Sequence, residues 1–93
     1  MHRFIIAPLA LCSTVVTGQS VEYCKHIENV AQAAMTSRQA GVPLTTMRQL
    51  VSDETAIGVF EAAYEYPQLL SETDRQAAVI SFKELILNEC LKS

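Results

Sequence analysis

Two rhythms of apolar residues divide the chain. Phe4 to Val16 (FIIAPLALCSTVV) is a nearly continuous apolar run of 13 residues. From Cys24 onward the apolar positions recur at three- and four-residue intervals, the spacing that lines one face of a helix. Strict apolar/polar alternation, the mark of a half-buried strand, does not occur in the sequence, so the pattern predicts an all-α fold.

Four helical segments follow from that spacing and from the residues that start and stop helices. In the first, Cys24, Ile27, Val30, Ala31 and Ala34 form the apolar stripe. Ser20 is its expected N-cap, and Glu22 places a negative charge in the first turn, where the helix dipole favours one. Glu28, Gln32, Arg38 and Gln39 fall mostly outside the stripe, and Gly41 with Pro43 ends the helix. The second segment is short, with Leu44, Met47, Leu50 and Val51 as its apolar face. Its start reads two ways: Pro43 as the first helical residue, or Thr46 and Gln49 as a capping box. Ser52-Asp53-Glu54-Thr55 interrupts the pattern with residues that cap or turn. The third segment carries Ile57, Phe60, Ala63 and Tyr64, and stops before Pro67, which pushes its predecessor away from helical geometry. Gly58 either weakens that helix or lets a neighbour approach closely. The fourth begins at Ser71, with Glu72 and Asp74 in its first turn, and presents Ala78, Phe82, Leu85, Ile86 and Cys90.

The first apolar run reads as a signal peptide over residues 1–18. Arg3 supplies a fixed positive charge ahead of it, and the run has the length of a signal-peptide core rather than the about 20 apolar residues a membrane span needs. Small and polar residues follow, with cleavage expected after Gly18 or after Ser20; this leaves 75 or 73 of the 93 residues as a single helical domain over 19–93. A retained N-terminal anchor and a buried cytosolic helix are the competing readings. Pro8 counts against the second, because proline removes a backbone donor and clashes with the preceding turn. Lipidation at Cys12 is disfavoured by the bulky Leu11 immediately before it. The expected localisation is periplasmic or secreted, with no stable membrane insertion after cleavage.

Removing the leader changes the arithmetic. Of three cysteines, Cys24 and Cys90 remain, the even number that an oxidising compartment favours. A domain of this size is near the lower limit for one unaided hydrophobic core. A Cys24–Cys90 disulfide would close almost the whole domain into a loop, a constraint worth roughly 4 kcal/mol in the chain-entropy account. It would also make the first and last helices antiparallel neighbours, with the middle pair packed across them. The expectation is a small bundle of about four short helices, its ends joined by that bridge. Arg3 is lost as well, leaving six Lys/Arg against ten Asp/Glu, a formal charge of −4. So acidic a chain has no electrostatic attraction to nucleic acid or anionic lipid.

Candidate chemistry is sparse. His26 is the sole histidine after the leader, and a transition-metal site needs three or four converging ligands, so no metal or other cofactor is expected. The glycines form no phosphate-binding loop, and no nucleophile elbow is present. Asp53-Glu54 and Glu72/Asp74 are explained by helix starts, and Glu61 with Glu65 by a solvated face. No catalytic residue is assigned and the chain is not expected to be an enzyme. The segment Tyr64-Glu65-Tyr66-Pro67-Gln68-Leu69-Leu70 is the leading candidate contact surface; the loop Arg38-Gln39-Ala40-Gly41-Val42-Pro43 is a second, but its capping chemistry accounts for it. Tyr64, Tyr66, Leu69 and Leu70 around a proline break suit a protein partner, since tyrosine is enriched where proteins meet. Alternatively, Tyr64 and one of the two leucines complete the core while Tyr66 lies outside.

Cys24-x-x-Ile27, Ala31, Met35, Arg38-Gln39-x-Gly41-Val42-Pro43, Ala62-Ala63-Tyr64, Phe82 and Cys90 together resemble small exported two-cysteine helical proteins of bacteria, phages and prophages. The likeness spans the chain after the leader and rests on cysteines, a helix stop and apolar positions. That family carries no assigned biochemical activity, so the resemblance implies export and fold but no functional residue. The general plan is also similar to that of small periplasmic acid-stress chaperones. Their tryptophan-bearing motif beside the first cysteine is missing here, where Tyr23 precedes Cys24, and so is their lysine-rich tail. The sequence thus leads to an exported, non-enzymatic protein-binding protein, such as a modulator of the cell envelope or an immunity protein. The alternative is an acid-stress chaperone that loosens as its ten carboxylates protonate.

Overall fold

A computed structural model describes residues 20–93. The expected signal peptide over 1–18 lies outside the described residues. Within them the chain forms four helices and no strand: α1 (Val21–Gln39), α2 (Leu44–Leu50), α3 (Glu54–Tyr64) and α4 (Glu72–Lys92).

The local signals act where the sequence puts them. The Ser20 hydroxyl accepts from the Tyr23 N–H at 3.1 Å, Asp53 Oδ2 from the Ala56 N–H at 3.0 Å, and the Ser71 hydroxyl from the Asp74 N–H at 3.0 Å. Each satisfies one of the amides that a helix start leaves without an intrahelical partner. At the end of α1, Gly41 adopts φ 84°. The Gly41 N–H donates to the Arg38 carbonyl and the Val42 N–H to the Ser37 carbonyl, the paired bonds of a Schellman stop. For α2 neither expected start is adopted. Pro43 occupies the N-cap position with extended backbone (φ −63°, ψ 144°), one residue ahead of the helix, and the Thr46 N–H already donates to its carbonyl.

The central helix is α1. It lies against α4 along one flank and α3 along another, while α2 packs mainly against α3. The middle pair therefore does not pack as a unit across the two outer helices; α3 packs along α1, and α2 joins through α3. Ile27, Ala31, Ala34 and Met35 of α1, Val59, Phe60 and Ala63 of α3, and Phe82 of α4 form the buried cluster. Alanines on α1 keep the helix surface flat, which lets two neighbours approach it closely. The α3 stripe is turned from its expected face: Ala56, Val59, Phe60 and Ala63 are buried, while Ile57 and Tyr64 are only half-buried. On α4 only Phe82 is fully buried; Ala78, Val79, Ile86 and Cys90 pack partly against the cluster, and Leu85 is exposed.

A disulfide joins Cys24, in the first turn of α1, to Cys90, in the last turn of α4, with their Cα atoms 5.6 Å apart. The first and last helices are thus antiparallel and covalently joined at one end. Elsewhere the surface ties are weak: Arg48 pairs with Glu61 between α2 and α3, and the Lys83 ammonium reaches Gln32 Oε1 at 3.5 Å. Exposed pairs of this kind contribute about 1 kcal/mol at most.

Candidate functional site

Opposite the disulfide, the end of α1 and the start of α4 are joined by a polar clasp around the segment 65–71. Its centre is Gln39, the last residue of α1, which is only 4% exposed. Its side-chain amide donates to the Pro67 carbonyl at 2.9 Å and to Met35 Sδ at 3.4 Å, and its amide oxygen accepts from the Leu69 N–H at 2.8 Å. Gln68 returns the contact by donating to the Gln39 carbonyl at 3.1 Å. Arg38 Nε donates to the Tyr66 carbonyl and Arg75 Nε to the Leu69 carbonyl, both at 2.7 Å. The loop between α3 and α4 lacks helical partners for its backbone, and these side chains supply them. Among the described residues no buried side-chain nitrogen or oxygen is left unpaired.

The clasp separates the four residues of the expected contact patch. Tyr64 is half-buried, its hydroxyl donates to the Val42 carbonyl at 2.6 Å, and the Arg38 guanidinium carbon lies 5.6 Å from its ring centroid. Burial raises the Tyr64 pKa above 10.0, and the neighbouring Arg38 offsets part of that rise. Tyr66 sets its ring edge-on to Phe82, with centroids 5.5 Å apart, and keeps 41% exposure. Leu69 is half-buried, whereas Leu70 is 95% exposed. Tyr64 and Leu69 thus pack inward, Tyr66 borders the core from outside, and Leu70 stands free just before α4.

Beside the clasp, α1 and α4 leave an open groove of about 470 Å³. Ala40, Val79 and Ile80 supply its apolar surface, and Thr36, Glu72, Arg75 and Gln76 most of its polar rim. Ile80 is 53% exposed, a large apolar side chain on the solvent side of a helix. A second depression, of about 290 Å³, lies at the disulfide end and includes Tyr23, Ile27, Ile86 and Cys90 in its lining.

The sequence pattern placed Gln39 outside the apolar stripe and gave Arg75 and Gln68 no role. A signal for Gln39 existed in the four-residue steps Ile27, Ala31, Met35, Gln39, which keep to one side of a helix. His26 is exposed, and among the described residues no three His, Cys, Asp or Glu side chains gather as a metal site. Glu61 is paired with Arg48 rather than left beside Glu65 as an unopposed charge. No helix among the described residues is long and apolar enough to cross a membrane. Comparison with protein-family models, curated proteins and solved structures finds no match to this chain.

Proposed function

We propose that this chain is an exported, non-enzymatic protein-binding domain, and that its contact face is the groove between α1 and α4 together with the adjoining Leu70. The observation that carries the reading is the make-up of that face. An apolar centre of Ala40, Val79 and Ile80 is rimmed by Thr36, Glu72, Arg75 and Gln76, which is the anatomy of a protein-contact patch. Export draws its support from the Cys24–Cys90 bond, which oxidising compartments maintain, and from the apolar run Phe4 to Val16 ahead of the domain. The resemblance to small exported two-cysteine helical proteins adds to it.

The partner is an envelope or secreted protein. Modulation of a host envelope and immunity to a periplasmic toxin are two forms of the same activity; a toxin gene beside this one favours the second, flanking phage genes the first. The test is to isolate the protein from the periplasm or medium, determine its N-terminus and intact mass with and without reductant, and identify what co-purifies. The expected result is a chain starting at Gln19 or Val21, disulfide-bonded, with a stoichiometric partner that the double variant Leu70→Asp/Ile80→Asp no longer retains. A partner retained equally by the variant places the contact elsewhere, and a protein that keeps Met1 and two free thiols defeats the reading.

A further inference from the structure

The two cysteines of the disulfide are not equivalent. Cys24 is completely buried, whereas Cys90 is partly exposed and lines the depression of about 290 Å³ at that end of the bundle. We infer that the Cys24–Cys90 bond is a directional exchange site, attacked by a thiolate at Cys90, and that its opening releases the last turns of α4 while the rest of the bundle stays folded.

Thiol–disulfide exchange requires the attacking sulfur to approach along the S–S axis from the side of the sulfur it joins, so access decides which cysteine is captured. The depression leads to Cys90, between Tyr23 and Ile27 of α1 and Ile86 and Glu89 of α4. A small thiol such as glutathione would form a new S–S bond to Cys90 and expel Cys24 as a thiolate. That thiolate takes a proton from water as the turn above it lifts. A second thiol then attacks the mixed disulfide and returns Cys90 as a thiol, so two external thiols become one disulfide as the protein bond gains two electrons and two protons.

The packing of α4 sets the consequence of opening. Its one fully buried residue is Phe82; beyond it only Ile86 and Cys90 rest against the core, both partly exposed. The N-terminal half is held separately, by the Tyr66 ring against Phe82 and by Arg75 on the Leu69 carbonyl. The α1–α3 cluster around Met35 and Phe60 takes only the partly buried Ile86 and Cys90 from residues 84–93, and none of its fully buried members. A group added at Cys90 removes the covalent tie to Cys24, and the half-exposed Ile86 and Cys90 are then all that rests these turns against the core.

Two readouts on the native oxidised protein decide the matter. Incubation with reduced glutathione, acid quenching and peptide mapping by mass spectrometry should find the adduct on Cys90 in at least about tenfold excess over Cys24. Adduct mainly on Cys24, or exchange only once denaturant is added, overturns directional attack. Hydrogen exchange on the adduct should show loss of protection in 84–93, with protection retained in 27–39 and 56–63. Loss throughout the domain, or no loss at all, overturns the local release.

Discussion

The two ends of the α1–α4 pair are held by opposite means. At one end a single covalent bond, Cys24–Cys90, does the holding beside a depression and half-buried apolar contacts. At the other, Gln39, Gln68, Arg38 and Arg75 make a set of hydrogen bonds to the backbone of one loop, next to the tightly buried Met35. The covalent end constrains the unfolded chain, whatever the quality of local packing. The polar end acts in the folded state alone, because its bonds require three chain segments to be already in place. A small domain with few aromatics is held at both ends, its core being near the lower limit of size for a fold without such supports.

The contrast can be broken from either side. Replacing both cysteines (Cys24→Ala with Cys90→Ala) has the largest expected effect, a loss of roughly 4 kcal/mol. A shift of the thermal midpoint by roughly 20 °C in calorimetry corresponds to that loss in a domain of this size. A shift of a few degrees would show that the clasp and core carry the fold without the bond. Gln39→Leu comes next. It keeps the volume but leaves the Leu69 N–H and Pro67 carbonyl without partners, at a cost of about 2 kcal/mol in denaturant unfolding. Hydrogen exchange should quicken at Leu69 while the amides around Cys90 stay protected; equal quickening at both ends would mean that the two holds are one cooperative unit.

Smaller effects sharpen the picture of the clasp. Gly41→Ala should cost about 1 to 2 kcal/mol, because a side chain is strained at φ 84°. A Cβ there would also come within 3.3 Å of Gln68 Nε2, pressing on the bond that Gln68 makes to Gln39. The smallest effect is a pH dependence at Tyr64. Its folded pKa is raised by burial, so its contribution to stability is fully present below pH 10.0, the ordinary value, and is lost as pH rises through the folded value. Ionisation also removes the proton donated to Val42. Unfolding measured from pH 8 upward should show a decline that begins near 10 and is weaker in Tyr64→Phe; an unchanged decline in that variant would assign it to other groups.

Much of this was legible in the residues because it depends on neighbours in the chain. Ser20 and Ser71 cap their helices through amides three positions on, Gly41 ends α1 through bonds that span three and five residues, and the apolar spacing marks the helices. The cysteine pairing was legible too: reading the first apolar run as a leader sets Cys12 aside and leaves Cys24 and Cys90. The face of α3 was less so. Ile57 and Val59 are both apolar and both plausible as core, and only the position of α1 selects Val59.

The sequence by itself determined the four helices, their stops and the bond that joins the first to the last, since capping, periodicity and cysteine count act over a few residues or by simple elimination. The tertiary structure alone decided that Gln39 is buried, that Tyr64 turns inward while Leu70 stands free, and that Cys90 is the less buried cysteine of the pair. The physical reason is distance along the chain. A glutamine is buried when carbonyls and amides some 30 residues away, at Pro67 and Leu69, arrive to satisfy it, and no local pattern records that meeting.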